Sequence, residues 1–211
     1  MVVNESALLR AMREDYKGQG YTVARRFDNL DDTDDESVLI LSSGDWLVEI
    51  EWKNAPSKVF GLIAQHLKGL HAVGEAFTVK KKETNTTIFD MVDKFPEIEK
   101  AAPVITANRT RLMYENMEVW QKDGNNGCMF IPVDTADMLF DHGRVVRWVS
   151  GGIYLEGKAS RIFVRHCHYA AVDLLDIRIF GGFHDQNAHG NIAHSYPSPF
   201  RGGCDCSRQC L

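Results

Sequence analysis

Residues Asp34 to Lys53 read Asp-Asp-Glu-Ser-Val-Leu-Ile-Leu-Ser-Ser-Gly-Asp-Trp-Leu-Val-Glu-Ile-Glu-Trp-Lys. Two apolar-rich runs flank a Ser-Gly pair, the pattern of two antiparallel strands joined by a tight turn. Whether the turn has two residues (Ser43, Gly44) or four (Ser42 to Asp45), the same positions oppose each other: Glu36 faces Glu51 and Asp34 faces Lys53. Directly opposed residues share a face of the sheet. One face then gathers Glu36, Glu49, Glu51 and Lys53 with Val38, Ile40 and Leu47; the other carries Leu39, Leu41, Trp46, Val48, Ile50 and Trp52. The second is expected to be core and the first a place for chemistry.

Outward from the hairpin, Asn4 is placed to cap a helix whose Leu8, Leu9, Met12 and Tyr16 form one apolar stripe, ended by Gly18 and Gly20. Tyr21 to Phe27 reads as a strand, and Asp28 to Glu36 as a loop dense in carboxylates. Asp32, Asp34 and Glu36 have the alternate spacing of a calcium loop, but the glycine of its sharp turn is missing, so a solvated acidic loop is expected. After the hairpin, Asn54-Ala-Pro-Ser57 breaks the strand, and a helix is predicted from Ser57 to about Val73, with Val59, Phe60, Leu62, Ile63, Leu67 and Leu70 on its buried side. Ala76 to Lys82 reads as a further strand.

Asp90 to Asn116 is helical in character, broken at Pro96 and Pro103, with a last helical piece over Ala107 to Met117. Beyond it strands are predicted at Glu118 to Gln121, Cys128 to Pro132, Val145 to Val149, Ile153 to Glu156, Arg161 to Tyr169 and Val172 to Phe180, with a short helix at Thr135 to Asp141. From Gly181 the chain turns to Gly, His, Asn, Ser, Pro and Cys, a loop or tail without its own core. The expected fold class is α+β. A mixed sheet flanked by helices fills 1–89, a helical connector 90–117, a β-rich antiparallel extension 118–182, and a His/Cys-rich tail 183–211.

With 211 residues, 44% hydrophobic and 25% charged, the composition is that of a globular protein able to bury a sizeable core. No apolar run approaches the roughly 20 residues of a membrane span, and the N-terminus has neither a basic nor an apolar leader region. Five cysteines, three of them crowded into the last eight residues, do not make a secreted disulfide framework. A protein of the cytoplasm, without membrane partners, is therefore expected. A formal net charge of −5 weighs against a surface that grips nucleic acid everywhere.

Glu51-Trp52-Lys53 at a strand end, with an acid at the start of the antiparallel partner, is a set suited to phosphodiester hydrolysis. Two carboxylates hold Mg²⁺ or Mn²⁺, the metal polarises the phosphate and acidifies a bound water, and the lysine orients that water or stabilises developing charge. These residues, with the element order helix, three strands, helix, strand over roughly residues 4 to 82, resemble the restriction-endonuclease-like nucleases. That family's pattern is an Asp, a variable gap, then Asp or Glu, any residue, and Lys. The resemblance implies metal-dependent cleavage of nucleic acid, with Glu51 and Lys53 as the acid and lysine and Glu36, Asp35 or Asp34 as the first acid and metal ligand. It also implies a supporting Gln65 on the following helix and a setting such as host defence or phage biology. Glu14 on the first helix is a further candidate acid.

Two other constellations stand beside it. His166 and His168 on one strand face, His184, His189 and His194 in the loop, and Cys204, Cys206 and Cys210 in the tail are zinc-ligand types, although Cys-x-Cys followed by a third Cys is not a paired-knuckle spacing. Lys80, Lys81, Lys82, Arg109, Arg111, Arg144 and Arg147 are candidates for contacting phosphates flanking a metal site, or ordinary surface charge. The rival to the nuclease is an acidic, non-enzymatic protein of inhibitor or immunity type. Its acidic loop and hairpin face would bind a basic partner by complementary potential.

Overall fold

The computed structural model describes residues 1–27, 37–67, 73–80, 83–84 (backbone), 87–124, 127–139 and 144–166. The hairpin of the opening stretch forms β2 (Ser37–Ser42) and β3 (Trp46–Glu51). It does not lie at an edge. β2 pairs with β1 (Thr22–Phe27), and β3 pairs with β11 (Ser160–Arg165), so strands more than a hundred residues apart in sequence meet at the centre of one sheet. With β4 (Ala76–Thr78), β5 (Glu83–Thr84), β9 (Arg147–Val149) and β10 (Gly152–Gly157), the order is β5-β4-β1-β2-β3-β11-β10-β9. The class is α+β, as expected. Every described pairing is antiparallel, which replaces the expected mixed sheet.

The hairpin register differs from the expected one by two residues. Ser43 N donates to Trp46 O at 2.9 Å, so the turn is Gly44-Asp45 and Val38, not Glu36, lies opposite Glu51. A shift of two leaves every side chain on its expected face, because strand side chains alternate with period two. One face joins Leu39, Leu41, Val48 and Ile50 to α1 (Glu5–Lys17) and α2 (Ser57–Leu67). The same cluster takes in Ala136 of α5 (Val133–Ala136). It also includes Trp120, Met129 and Ile131 from a second sheet made of β6 (Ala107–Tyr114), β7 (Met117–Lys122) and β8 (Cys128–Pro132).

The other face, expected to be open for chemistry, is covered too. Val38, Ile40 and Leu47 pack against Ile88 and Val92 of α3 (Thr87–Val92) and Phe95 of α4 (Phe95–Lys100), together with Tyr154 of β10. All six residues of β2 are buried as a result.

Local chemistry explains the element ends. Asn4 Oδ1 accepts from Ser6 N and Ala7 N at 3.1 and 3.3 Å, capping α1 as expected, a contact worth about 1 kcal/mol. At the other end Lys80 Nζ donates to the Lys17 and Gly18 carbonyls at 2.7 and 2.6 Å, placing a cation where the helix dipole is negative. Residues 107–114, expected to be helical, form β6 instead. Helix-forming Arg, Leu and Met are overridden by pairing with β7, and the strand carries a wide irregularity between Arg109 and Met113 with Arg111 at a φ of 61°. The small sheet is tied to α1 by charge: Arg109 Nε donates to Glu118 Oε1 at 2.6 Å and its Nη2 to Asp137 Oδ1 at 3.4 Å, and Asp137 also binds Arg10 at 3.0 Å. No helix among the described residues is long and apolar enough to cross a membrane.

Candidate functional site

The acid face of the hairpin resolves into two different environments. Glu49, inside the strand, is buried, and Arg161 stands directly opposite it on β11. Arg161 Nη1 donates to Glu49 Oε1 at 2.6 Å, and its Nε lies 2.9 Å from Glu99 Oε1 on α4. Tyr154 Oη also donates to that Glu99 oxygen, at 2.5 Å. Burial alone would lower the Arg161 pKa, but the Glu49 and Glu99 carboxylates outweigh it and hold the guanidinium more firmly protonated than usual. Burial, then the bond to Glu99 and its charge, push the Tyr154 hydroxyl up. These contacts connect two carboxylates, one guanidinium and one phenol.

Glu51, at the strand end, is half-buried and differently held. Its backbone N–H donates to Ala159 O at 3.0 Å, and its Oε2 accepts from Asn54 Nδ2. Beside it opens a cleft of about 310 Å³ lined by Val38, Glu49, Glu51, Glu156, Lys158 and Arg161, with the backbone of the β10–β11 turn. Glu156 reaches the cleft because it opposes Arg161, and Lys158 because Gly157 pairs with Ser160 and leaves Lys158-Ala159 as the turn. Neither Glu51 nor Glu156 has an ion-pair partner among the described residues, whereas Arg161 is neutralised.

The remaining sequence candidates do not gather here. β3 ends at Glu51, and Trp52–Asn54 makes one turn of 3-10 helix, so Lys53 no longer shares a strand face with Glu51 and stands exposed outside the cleft lining. The cause is Trp52, held by the Phe60 ring at 4.6 Å and by the Arg25 guanidinium 3.8 Å above it, against the opposite core. Gln65 is exposed on α2, and α2 packs on the sheet face opposite to Glu49. Glu14 binds Lys17 at 2.6 Å on α1, over that same opposite face. Asp34, Asp35 and Glu36 lie outside the described residues.

Among the described residues no three His, Cys, Asp or Glu side chains converge as a metal-binding group. Of the zinc candidates, only His166 is among the described residues. The basic candidates disperse: Lys80 caps α1, Arg109 is committed to Glu118, Arg111 is exposed on the β6 irregularity, and Arg144 Nη1 reaches Glu156 O at 3.4 Å. Lys81 and Lys82 are outside the described residues.

Glu99, Glu156, Lys158 and Arg161 were not singled out from the sequence. A usable signal existed for two of them, since a Lys158-Ala159 turn puts Glu156 opposite Arg161. Which strand Arg161 would join was not readable. Comparison of the chain with family models, with curated proteins and with solved structures returns no match.

Proposed function

We propose that this chain is a non-catalytic binding protein of inhibitor or immunity type that holds a basic partner at the acid-lined end of its large sheet. The observation that carries the reading is the pair Glu51 and Glu156, which share one cleft without a cationic partner while the neighbouring arginine is already neutralised. Carboxylates of this kind, at the point where the acidic 28–36 stretch enters β2, form a focus of negative potential for lysine or arginine side chains. The hairpin face itself is not available to a partner, because α3 and α4 cover it. The contact surface is therefore the cleft mouth and not the strand face first expected.

Titration with a short oligolysine peptide at low salt tests this, using calorimetry. Binding should weaken with ionic strength and fall roughly tenfold in Glu51→Gln/Glu156→Gln, while Lys158→Gln should strengthen it. Salt-independent binding, or equal binding by the double variant, would sink the reading.

A second reading rests on Lys158. With Glu51 and Glu156 it completes an acid, acid and lysine set assembled from the β3 end and the β10–β11 hairpin, in place of the single-strand set with Lys53. On this reading the chain is a Mg²⁺- or Mn²⁺-dependent nuclease, the carboxylates holding the metal and the lysine stabilising developing charge. Incubation with DNA and RNA in either metal separates the two readings. Cleavage that depends on metal and is lost in both Glu51→Ala and Lys158→Ala replaces the binding protein with the enzyme.

A further inference from the structure

At the far edge of the large sheet a second groove, of about 340 Å³, lies between α4 and β9. Its wall is fixed by backbone bonds: Trp148 N donates to Ile105 O at 2.7 Å and Ala107 N to Val146 O at 2.8 Å, which dock the segment before β6 along β9. Ile98, Pro103, Val104, Ile105 and Val149 give it an apolar lining, and Val104 is 48% exposed. Arg147 also lines it. This arginine opposes Tyr154 in the β9–β10 pairing, so its side chain leaves the sheet on the α4 side.

Arg147 is half-buried, and its side chain has neither a hydrogen bond nor an ion pair among the described residues. Of the other half-buried arginines, Arg161 binds two carboxylates, Arg26 binds Asp93 and Arg25 donates to Ser37 Oγ. A guanidinium drawn part way out of water beside apolar carbon offers a planar fork of donors that suits a carboxylate. The volume lies at the small end of ligand sites, which run from about 300 to 1,000 Å³. Glu97 also lines the groove and disfavours a second negative charge. These features select a monoanion with an apolar body.

We propose that the groove between α4 and β9 binds a small monocarboxylic acid, its carboxylate on Arg147 and its apolar body on Ile98, Val104 and Ile105. This site is separate from the Glu51 cleft and does not depend on which reading of that cleft holds.

The test is an amide NMR titration of the full chain with 3-phenylpropionate and with its neutral twin, 3-phenylpropan-1-ol. The acid should give saturable shifts at residues 98, 104–105 and 147–149, with the alcohol about tenfold weaker. Arg147→Met should abolish the difference between acid and alcohol, and Arg147→Lys, which keeps the charge on the same edge strand, should retain part of it. The proposal is overturned if the acid gives no saturable shift by about 10 mM, if the alcohol binds equally well, or if folded Arg147→Met still prefers the acid.

Discussion

Arg161 Nη1 meets Glu49 Oε1 at 2.6 Å across the β11–β3 pairing, and this contact joins the C-terminal hairpin to the N-terminal one inside the molecule. The Glu49 side chain is 5% exposed, and that guanidinium is a direct counter-charge to it. Removing one partner of a buried pair is more costly than removing both, because the survivor stays charged and unsolvated. Arg161→Met, which takes the guanidinium from both Glu49 and Glu99 and leaves Glu99 its bond from Tyr154, should cost about 3 kcal/mol. Glu49→Gln leaves Arg161 its Glu99 contact and should cost about 1 to 2 kcal/mol. The double variant should lose less than the two singles together, by about 1 kcal/mol or more. Urea unfolding midpoints read all three. Additive losses would show that the pair is not coupled.

Gly20 and Gly44 make opposite demands. Gly20 has a φ of 88°, and a Cβ there would stand 2.0 Å from Val79 O. That carbonyl belongs to a fixed backbone, since Val79 N donates to Tyr21 O at 2.8 Å. Gly20→Ala should therefore destabilise by about 3 kcal/mol or more, through both the clash and the left-handed backbone. Gly44 sits in the hairpin turn with nothing within 4 Å of a built Cβ. Gly44→Ala should stay within about 0.5 kcal/mol of the parent. Thermal unfolding of the two variants checks the contrast. A tolerated Gly20→Ala would contradict the close approach of the α1–β1 turn to Val79.

What the sequence made legible was local. The α1 cap and stripe, the hairpin and the sorting of its side chains onto two faces followed from periods of 3.6 and 2. The missed register came from one choice of turn, Ser43-Gly44 against Gly44-Asp45. The face expected to be open for chemistry carries Glu49 and Glu51, but its partner strand contains Val38-Leu-Ile-Leu41, a continuous apolar run of the kind a strand shows when both its faces are covered. No local pattern announces that β11 will cover β3 or that α3 and α4 will close the second face. Those are long-range pairings. Local sequence therefore shows neither the partner of Arg161 nor the early end that Trp52 gives to the strand before Lys53.

Lys80 combines a favourable contact with an unfavourable backbone. Its Nζ binds two carbonyls at the end of α1, while its φ is 80°. Lys80→Met loses the contact and keeps the backbone cost; Lys80→Gly loses the contact and relieves the backbone by about 1 kcal/mol. The methionine variant should be less stable than the parent by about 1 kcal/mol, and the glycine variant close to it. Amide exchange at residues 14–18 should accelerate in both. Equal stability of the two variants would remove the backbone argument, and unchanged exchange would remove the cap.

His66 makes the fold sensitive to mild acid. Its ring stacks on Tyr16 with centroids 3.7 Å apart, and its Nδ1 shares a hydrogen bond with Tyr21 Oη at 2.8 Å. Burial first, and the Arg13 charge second, lower its pKa from the ordinary 6.5, and burial pushes the Tyr21 hydroxyl up. A folded-state pKa below the unfolded one means that the unfolded chain binds the proton more readily. The contribution of His66 is thus complete above pH 6.5 and is lost as pH falls through the depressed value. Asp15, raised by burial against its bond from Trp46 Nε1, has the opposite sign: its contribution is present below the ordinary 3.8 and declines as pH rises through its folded value. His66→Gln should flatten stability on the acid side of 6.5, while Arg13→Gln should raise the His66 pKa read by NMR. If His66 titrates at or above 6.5 in the folded protein, burial between Tyr16 and Tyr21 does not control it.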